Sequence, residues 1–305
     1  MKKLTRRQII KRSLIGGAAI LGLGGLAALY KATEKNETVV VTPQPIRTAQ
    51  PTQKALAGNV HKSFISMVTN FPRANVGVGL TDSHNIIGDV DKLNCGWFYD
   101  WACTVAYLPD PRYVPMSYSG RLLTTLPVGY SGYVLMHNEP DTTGQDNYHS
   151  PSEAAAQVLA MHTRYPNARL IVGGTTQFGY DWLVSFKALL GTYQPEGYHI
   201  HAYVFPGSPG DPDATIDYLK EGWFPQVLSV CTGQIWITEF ADTIHLTNEL
   251  LSYIQSLPWV TRYAWFANRM YGTESWYPDW PINPALIDEG GNLTPFGEMY
   301  TPSGI

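Results

Sequence analysis

From about residue 60 the chain alternates short apolar runs with longer stretches whose apolar positions recur every three or four residues. That alternation is the pattern of βα units. Eight runs predict strands: Asn75–Leu80, Cys95–Trp101, Tyr113–Tyr118, Tyr133–Asn138, Leu170–Thr175, Tyr198–Tyr203, Ile235–Phe240 and Arg262–Ala267. Helices are predicted at Ser152–Arg164, which opens on Ser-Pro-Ser-Glu with an acid in its first turn, and at Asp181–Leu190, Asp213–Glu221 and Asn248–Leu257. Residues 120–130 carry a weaker helical pattern. Eight strands with crossovers in about 245 residues predict a (β/α)8 TIM barrel. A doubly wound open sheet is the competing arrangement, but no Gly-rich dinucleotide fingerprint follows an early strand.

The chain in front of the barrel reads differently. Residues 1–30 hold Lys2, Lys3, Arg6, Arg7, Lys11 and Arg12 and no acid. Behind the basic stretch comes an apolar, Gly-rich run from Leu14 to Tyr30. The Arg6-Arg7 pair with Ile9, Ile10 and Lys11 behind it resembles a bacterial twin-arginine export signal. The expectation is export from a bacterial cytoplasm, with an uncleaved membrane anchor as the alternative. Residues 31–58, with Thr-Pro-Gln-Pro and little periodicity, read as a disordered polar linker. Residues 59–305 are then the catalytic domain.

Charge narrows the partners. The whole chain carries −4, but without its first thirty residues 15 Lys+Arg face 25 Asp+Glu, a net of −10. An acidic body argues against nucleic acid and suits a neutral substrate. Nine Trp and 19 Tyr offer flat faces on which the C–H faces of sugar rings stack. Cys95, Cys103 and Cys231 show no zinc-ligand spacing; Cys95 and Cys103 pair in an oxidising compartment or all three stay free thiols. No G-x-S-x-G elbow follows a strand, which disfavours acyl transfer. No metal or organic cofactor is expected, and the protein is expected to be a monomer.

In a (β/α)8 barrel the chemistry sits at the C-terminal ends of the strands. The fourth run ends His137-Asn138-Glu139-Pro140, and the seventh ends Thr238-Glu239-Phe240. Two glutamates facing each other across the mouth supply what a glycosidase needs, one carboxyl protonated and one ionised. The sixth run ends His201-Ala202-Tyr203, with His201 and Tyr203 on one face to hold those carboxylates. Trp97, Tyr99, Asp100, Trp101, Tyr118 and Trp265 complete the set expected to meet the sugar, and Trp276, Tyr277 and Trp280 extend it or clamp the barrel.

At these residues the chain resembles clan A retaining glycosidases, and more narrowly the glycoside hydrolase family 128 catalytic core. The shared segments are Trp97-Phe98-Tyr99-Asp100-Trp101, Val114-Pro115-Met116, Asn138-Glu139-Pro140-Asp141, His201-Ala202-Tyr203, Trp236-Ile237-Thr238-Glu239-Phe240-Ala241 and Tyr263-Ala264-Trp265-Phe266. The resemblance implies an endo-β-1,3-glucanase acting by double displacement. Glu139 is then the acid/base, Glu239 the nucleophile, and Asn138 a partner for the sugar 2-hydroxyl. The family pattern has Asn where Asp100 stands, Trp where Ala202 stands, and Ser-Pro-Ala where Gly173-Gly174-Thr175 stands. Loss of a tryptophan at 202 is expected to remove a stacking platform. The other readings are a non-hydrolytic carbohydrate-binding cell-wall protein, and a clan A hydrolase of another β-glycan.

Overall fold

The computed structural model describes residues 73–81, 87–144, 147–205, 215–270 and 281–301. The export segment, the linker, and Trp276, Tyr277 and Trp280 lie outside the described residues. Among the described residues no helix is long and apolar enough to cross a membrane.

Eight parallel strands curl into a nearly closed (β/α)8 barrel. They are β1 (Arg73–Gly79), β2 (Cys95–Tyr99), β3 (Met116–Ser117), β4 (Tyr133–Met136), β5 (Arg169–Thr175), β6 (Gly197–Val204), β7 (Gln234–Asp242) and β8 (Val260–Trp265). Neighbours pair in the order β2-β1-β8-β7-β6-β5-β4-β3. The seam between β2 and β3 is held by a single parallel bridge, Phe98 to Tyr113. All eight predicted strands are present. The third is the shortest, because Pro115 has no N–H to give the ladder.

The helices are α1 (Ile87–Lys92), α2 (Pro151–Arg164), α3 (Tyr180–Leu189), α4 (Phe224–Val230), α5 (Glu249–Ser256) and α6 (Pro295–Tyr300). α2 starts where the sequence puts it. The Ser150 hydroxyl accepts from the Glu153 N–H, and the Glu153 carboxylate accepts from the Ser150 N–H. A capping box of this kind satisfies two otherwise orphaned donors. The helix expected at Asp213–Glu221 begins later, at Ile216, and passes through a wider π turn, Leu219–Trp223, into α4. The helical pattern at 120–130 does not form a helix. Gly120 and Gly129 take left-handed backbone (φ +71° and +78°), and Pro127 interrupts the run. α1, α4 and α6 are too short to show clear periodicity.

Strand alternation splits the apolar residues into two cores. Inside the barrel pack Trp97, Tyr99, Val114, Met116, Leu135, Ile171, Trp236 and Ala264. The larger core lies between the sheet and the helices, with Phe98, Val172, Phe186, Trp223, Phe240 and Trp265 among its members. Trp97 fills the interior because β1 offers a glycine, Gly77, at the facing position, where any side chain would collide with the indole. All three cysteines are free: Cys95 and Cys231 are buried, and Cys103 is half-buried beside Thr125.

Candidate active site

Glu139 owes its position to an unusual stretch of backbone at the end of β4. His137 and Glu139 both adopt left-handed conformation, φ +71° and +47°. Non-glycine residues visit that region rarely, and functional sites are enriched in such strain. Neighbouring strands hold the turn: the His137 N–H donates to Ser117 O (2.9 Å) and the Glu139 N–H to Gly174 O (2.7 Å). Gly174 is itself left-handed at φ +62°, and a Cβ there would stand 2.7 Å from both His137 O and His199 Cε1. The Gly173-Gly174 pair at the end of β5 thus lets the strand press against the turn that presents Glu139.

Glu239 lies within β7. A register shift in the β6–β7 ladder between Ile200 and His201 brings His201 opposite Glu239. Four elements then converge on two buried carboxylates. His201 Nδ1 is 3.1 Å from Glu139 Oε1 and 3.4 Å from Glu239 Oε2. The Trp101 indole N–H donates to Glu239 Oε1 at 2.8 Å, and the Tyr203 hydroxyl donates to Oε2 at 2.5 Å. One ligand atom from each of Glu139, His201 and Glu239 lies within 4.8 Å of the others. This is the one grouping of three potential metal ligands among the described residues. Both Glu239 oxygens also accept from protein donors, Trp101 and Tyr203.

The surroundings fix these groups electrostatically. Tyr99, in the layer below, donates to Thr238 O at 2.7 Å. Burial, and then the charges of Glu239 and Glu139, push its phenol well above the ordinary range, so it stays a neutral donor. Asp141 keeps some exposed area, but its carboxyl faces Thr176, accepting from the N–H (3.0 Å) and the hydroxyl (2.5 Å). Desolvation, with the Glu139 charge adding to it, raises Asp141 to about 6 against the opposing Thr176 bonds. Burial lowers His199 to about 3 and His137 to about 4, so both imidazoles are neutral. His199 bridges Thr238 Oγ1 (2.9 Å) and Met136 O (2.9 Å), tying the strands beneath the two glutamates together.

Of the residues expected at the site, Glu139, Glu239, His201, Tyr203 and Trp101 come together. Asn138 is adjacent and buried; its Oδ1 has no hydrogen-bond partner among the described residues, while its carbonyl accepts from Asn147 Nδ2. Tyr118 is exposed after β3. The others sit elsewhere. Trp97 and Tyr99 are interior packing below the carboxylates. Asp100 is turned into its own loop, accepting from the Tyr113 hydroxyl (2.7 Å) and the Thr104 hydroxyl (2.5 Å). Trp265 packs on the helix side against Phe240, Phe296 and Tyr300, with its indole N–H on Pro284 O at 2.7 Å. Ala202 is likewise on the outer side, opposite Phe240, so no platform is lost from the cleft there.

Sequence reading passed over Phe266. Its ring meets Trp101 edge-on (5.3 Å, 84°) and Tyr203 edge-on (5.8 Å, 81°). The signal was present: Ala264 faces the barrel interior, and period two puts position 266, not 265, on the same side.

A family model described as glycosyl hydrolase catalytic core matches residues 77–300. No curated protein sequence matches the chain. Among solved structures, the chain is similar to a glycoside hydrolase family 128 (subgroup II) endo-β-1,3-glucanase from Sorangium cellulosum: 22% identity, TM-score 0.55, 75% of this chain and 98% of that one. It is similar to a subgroup I endo-β-1,3-glucanase from Amycolatopsis mediterranei in complex with laminaritriose: 21% identity, TM-score 0.55, 76% of this chain and 100% of that one. A subgroup VI exo-β-1,3-glucanase from Aureobasidium namibiae gives 21% identity and TM-score 0.56 over 75% of this chain and 97% of that one. At these identities the likeness to solved structures is one of fold.

Proposed function

The chain belongs to the glycosyl hydrolase catalytic core family and is a glycoside hydrolase; from that premise we propose that it hydrolyses β-1,3-glucan with retention of configuration, Glu239 acting as nucleophile and Glu139 as acid/base. The observation that carries this reading is the spacing of the two buried carboxyls. One oxygen of each lies within 4.8 Å of an oxygen of the other, a single-atom approach shorter than the separation of the whole groups, and His201 Nδ1 is within 3.4 Å of both carboxylates. Retaining enzymes hold their carboxyl groups about 5–5.5 Å apart, whereas inverting enzymes need about 6.5–9.5 Å to fit a water. The substrate class is supported by solved structures of similar fold, whose names are those of endo- and exo-β-1,3-glucanases.

In the proposed mechanism Glu239, fixed by Trp101, Tyr203 and His201, attacks the anomeric carbon. Glu139 gives its proton to the departing oxygen. A glycosyl ester on Glu239 results, and Glu139 then takes a proton from the water that hydrolyses it. The donors on Glu239 hold one geometry through both steps, so little reorganisation accompanies charge transfer. Asn138 Oδ1, buried beside Glu139, is placed to accept from a sugar hydroxyl. Export belongs to the same proposal and rests on the basic-then-apolar segment 1–30. The test is release of reducing ends from laminarin. Glu239→Gln and Glu139→Gln are each expected to lower kcat by at least about 10³-fold, and wild-type kcat in either variant removes that residue from its role.

A further inference from the structure

Glu239 is held by two aromatic donors that reach it from different strands. Trp101 follows β2 and takes Oε1; Tyr203 ends β6 and takes Oε2. Phe266, just past β8, touches both. Its ring stands at 84° to the Trp101 indole with centroids 5.3 Å apart, and at 81° to the Tyr203 ring at 5.8 Å. Edge-to-face contact is the arrangement that aromatic quadrupoles favour, and it fixes ring direction as well as distance. Trp101 needs an external constraint, because its backbone is left-handed at φ +56°, an outlier for a bulky residue. The indole also lies close over Gly79, where a Cβ would stand 2.5 Å from Cη2, and packs against the Tyr99 ring (4.8 Å, 58°). The indole is thus confined by the bare backbone of β1, the Tyr99 ring and the Phe266 ring.

We propose that Phe266 is a positioning residue: its ring wedges Trp101 and Tyr203 apart so that their N–H and O–H groups hold the Glu239 carboxylate in the plane needed for attack. The proposal rests on the reading of Glu239 as nucleophile. Phe266 carries no polar atom, so it acts on Glu239 only through its two neighbours. A displacement of about 1 Å in a reacting group costs on the order of 10²-fold in rate, and loss of the wedge frees both donors together.

The test is laminarin hydrolysis by the full chain, with kcat and KM measured separately across pH. Phe266→Leu is expected to lower kcat about 10- to 100-fold while KM changes by less than about 3-fold. Phe266→Tyr, which keeps the ring edge, retains most of the wild-type kcat. Gly79→Ala, which adds a methyl under the indole instead of removing volume, lowers kcat in the same direction. In a Trp101→Phe background the Phe266→Leu effect shrinks, since the two act through one contact. Wild-type kcat in Phe266→Leu overturns the proposal. So does an effect confined to KM, or losses that multiply fully in the double variant. Glu239→Gln run alongside separates the two levels: if it abolishes turnover while Phe266→Leu has none of these effects, only the wedge falls; if it leaves turnover intact, the assignment of Glu239 falls first.

Discussion

Gly174 and Gly191 share one backbone angle, φ +62°, yet a methyl group at each meets different surroundings. At Gly191 nothing lies within 4 Å; at Gly174 the new Cβ stands 2.7 Å from the His137 carbonyl and from His199 Cε1. Alanine in the left-handed region costs roughly 1–2 kcal/mol at either position. At Gly174 relief of the clash requires backbone movement, and forced overpacking adds about 1–3 kcal/mol. With roughly 2–4 °C of Tm per kcal/mol for a domain of this size, Gly191→Ala is expected to lose about 4 °C and Gly174→Ala about 10 °C. The larger difference is functional. The Gly174 carbonyl accepts from the Glu139 N–H, and the atom it crowds belongs to the turn that presents Glu139. Gly174→Ala is therefore expected to reduce kcat on laminarin about 10- to 100-fold, with Gly191→Ala at the wild-type value. Thermal melts by circular dichroism and initial rates decide the matter. Equal Tm losses with unchanged kcat in both variants would refute the claim that β5 positions the acid/base.

Acid stability follows from two buried histidines and the half-buried Asp141. His137 (about 4) and His199 (about 3) lie below the ordinary 6.5, so the unfolded chain takes up protons that the fold refuses; their contribution is complete above about 6.5 and is lost as pH falls through it. Asp141, raised to about 6, works the other way between about 6 and 4. The net is one proton, so urea titrations should show stability falling by about 1.4 kcal/mol per pH unit from pH 6 to 4, and a flat profile there would contradict the placement. Trp265→Phe is expected to lower Tm through loss of the bond to Pro284 O, worth about 1 kcal/mol, but to leave kcat/KM on laminarin unchanged; a raised KM would put Trp265 back in the cleft. With a thiol reagent at neutral pH, Cys103 is expected to react alone. Burial pushes Cys95 and Cys231 up to about 12 and shields them until the chain unfolds.

The strands were legible because a barrel strand buried on both faces is an unbroken apolar run. The two glutamates were legible because each ends or interrupts such a run beside polar residues. What failed was assignment of face. Aromatic residues were read as sugar platforms, but β2 alternates Trp97 and Tyr99 inward with Phe98 outward, and the inward pair fills the barrel below the site. Trp265 was expected at the sugar, although the alternation from Ala264 decides in favour of Phe266. Asp100 looked like a cleft carboxylate, but hydrogen bonds from Tyr113 and Thr104 turn it into its own loop, and those partners become adjacent only after folding. The Gly173-Gly174 pair stood out in the sequence only as a departure from the family pattern. Its role emerges from contact with His137, which is distant along the chain and adjacent across the sheet.

Retention of configuration is the central claim, and proton NMR of the first products from a laminari-oligosaccharide tests it most directly. Double displacement through Glu239 predicts that the β-anomer appears first and mutarotates to the α-form. Appearance of the α-anomer first would mean direct attack by water, and with it that these two closely spaced carboxyls are not nucleophile and acid/base.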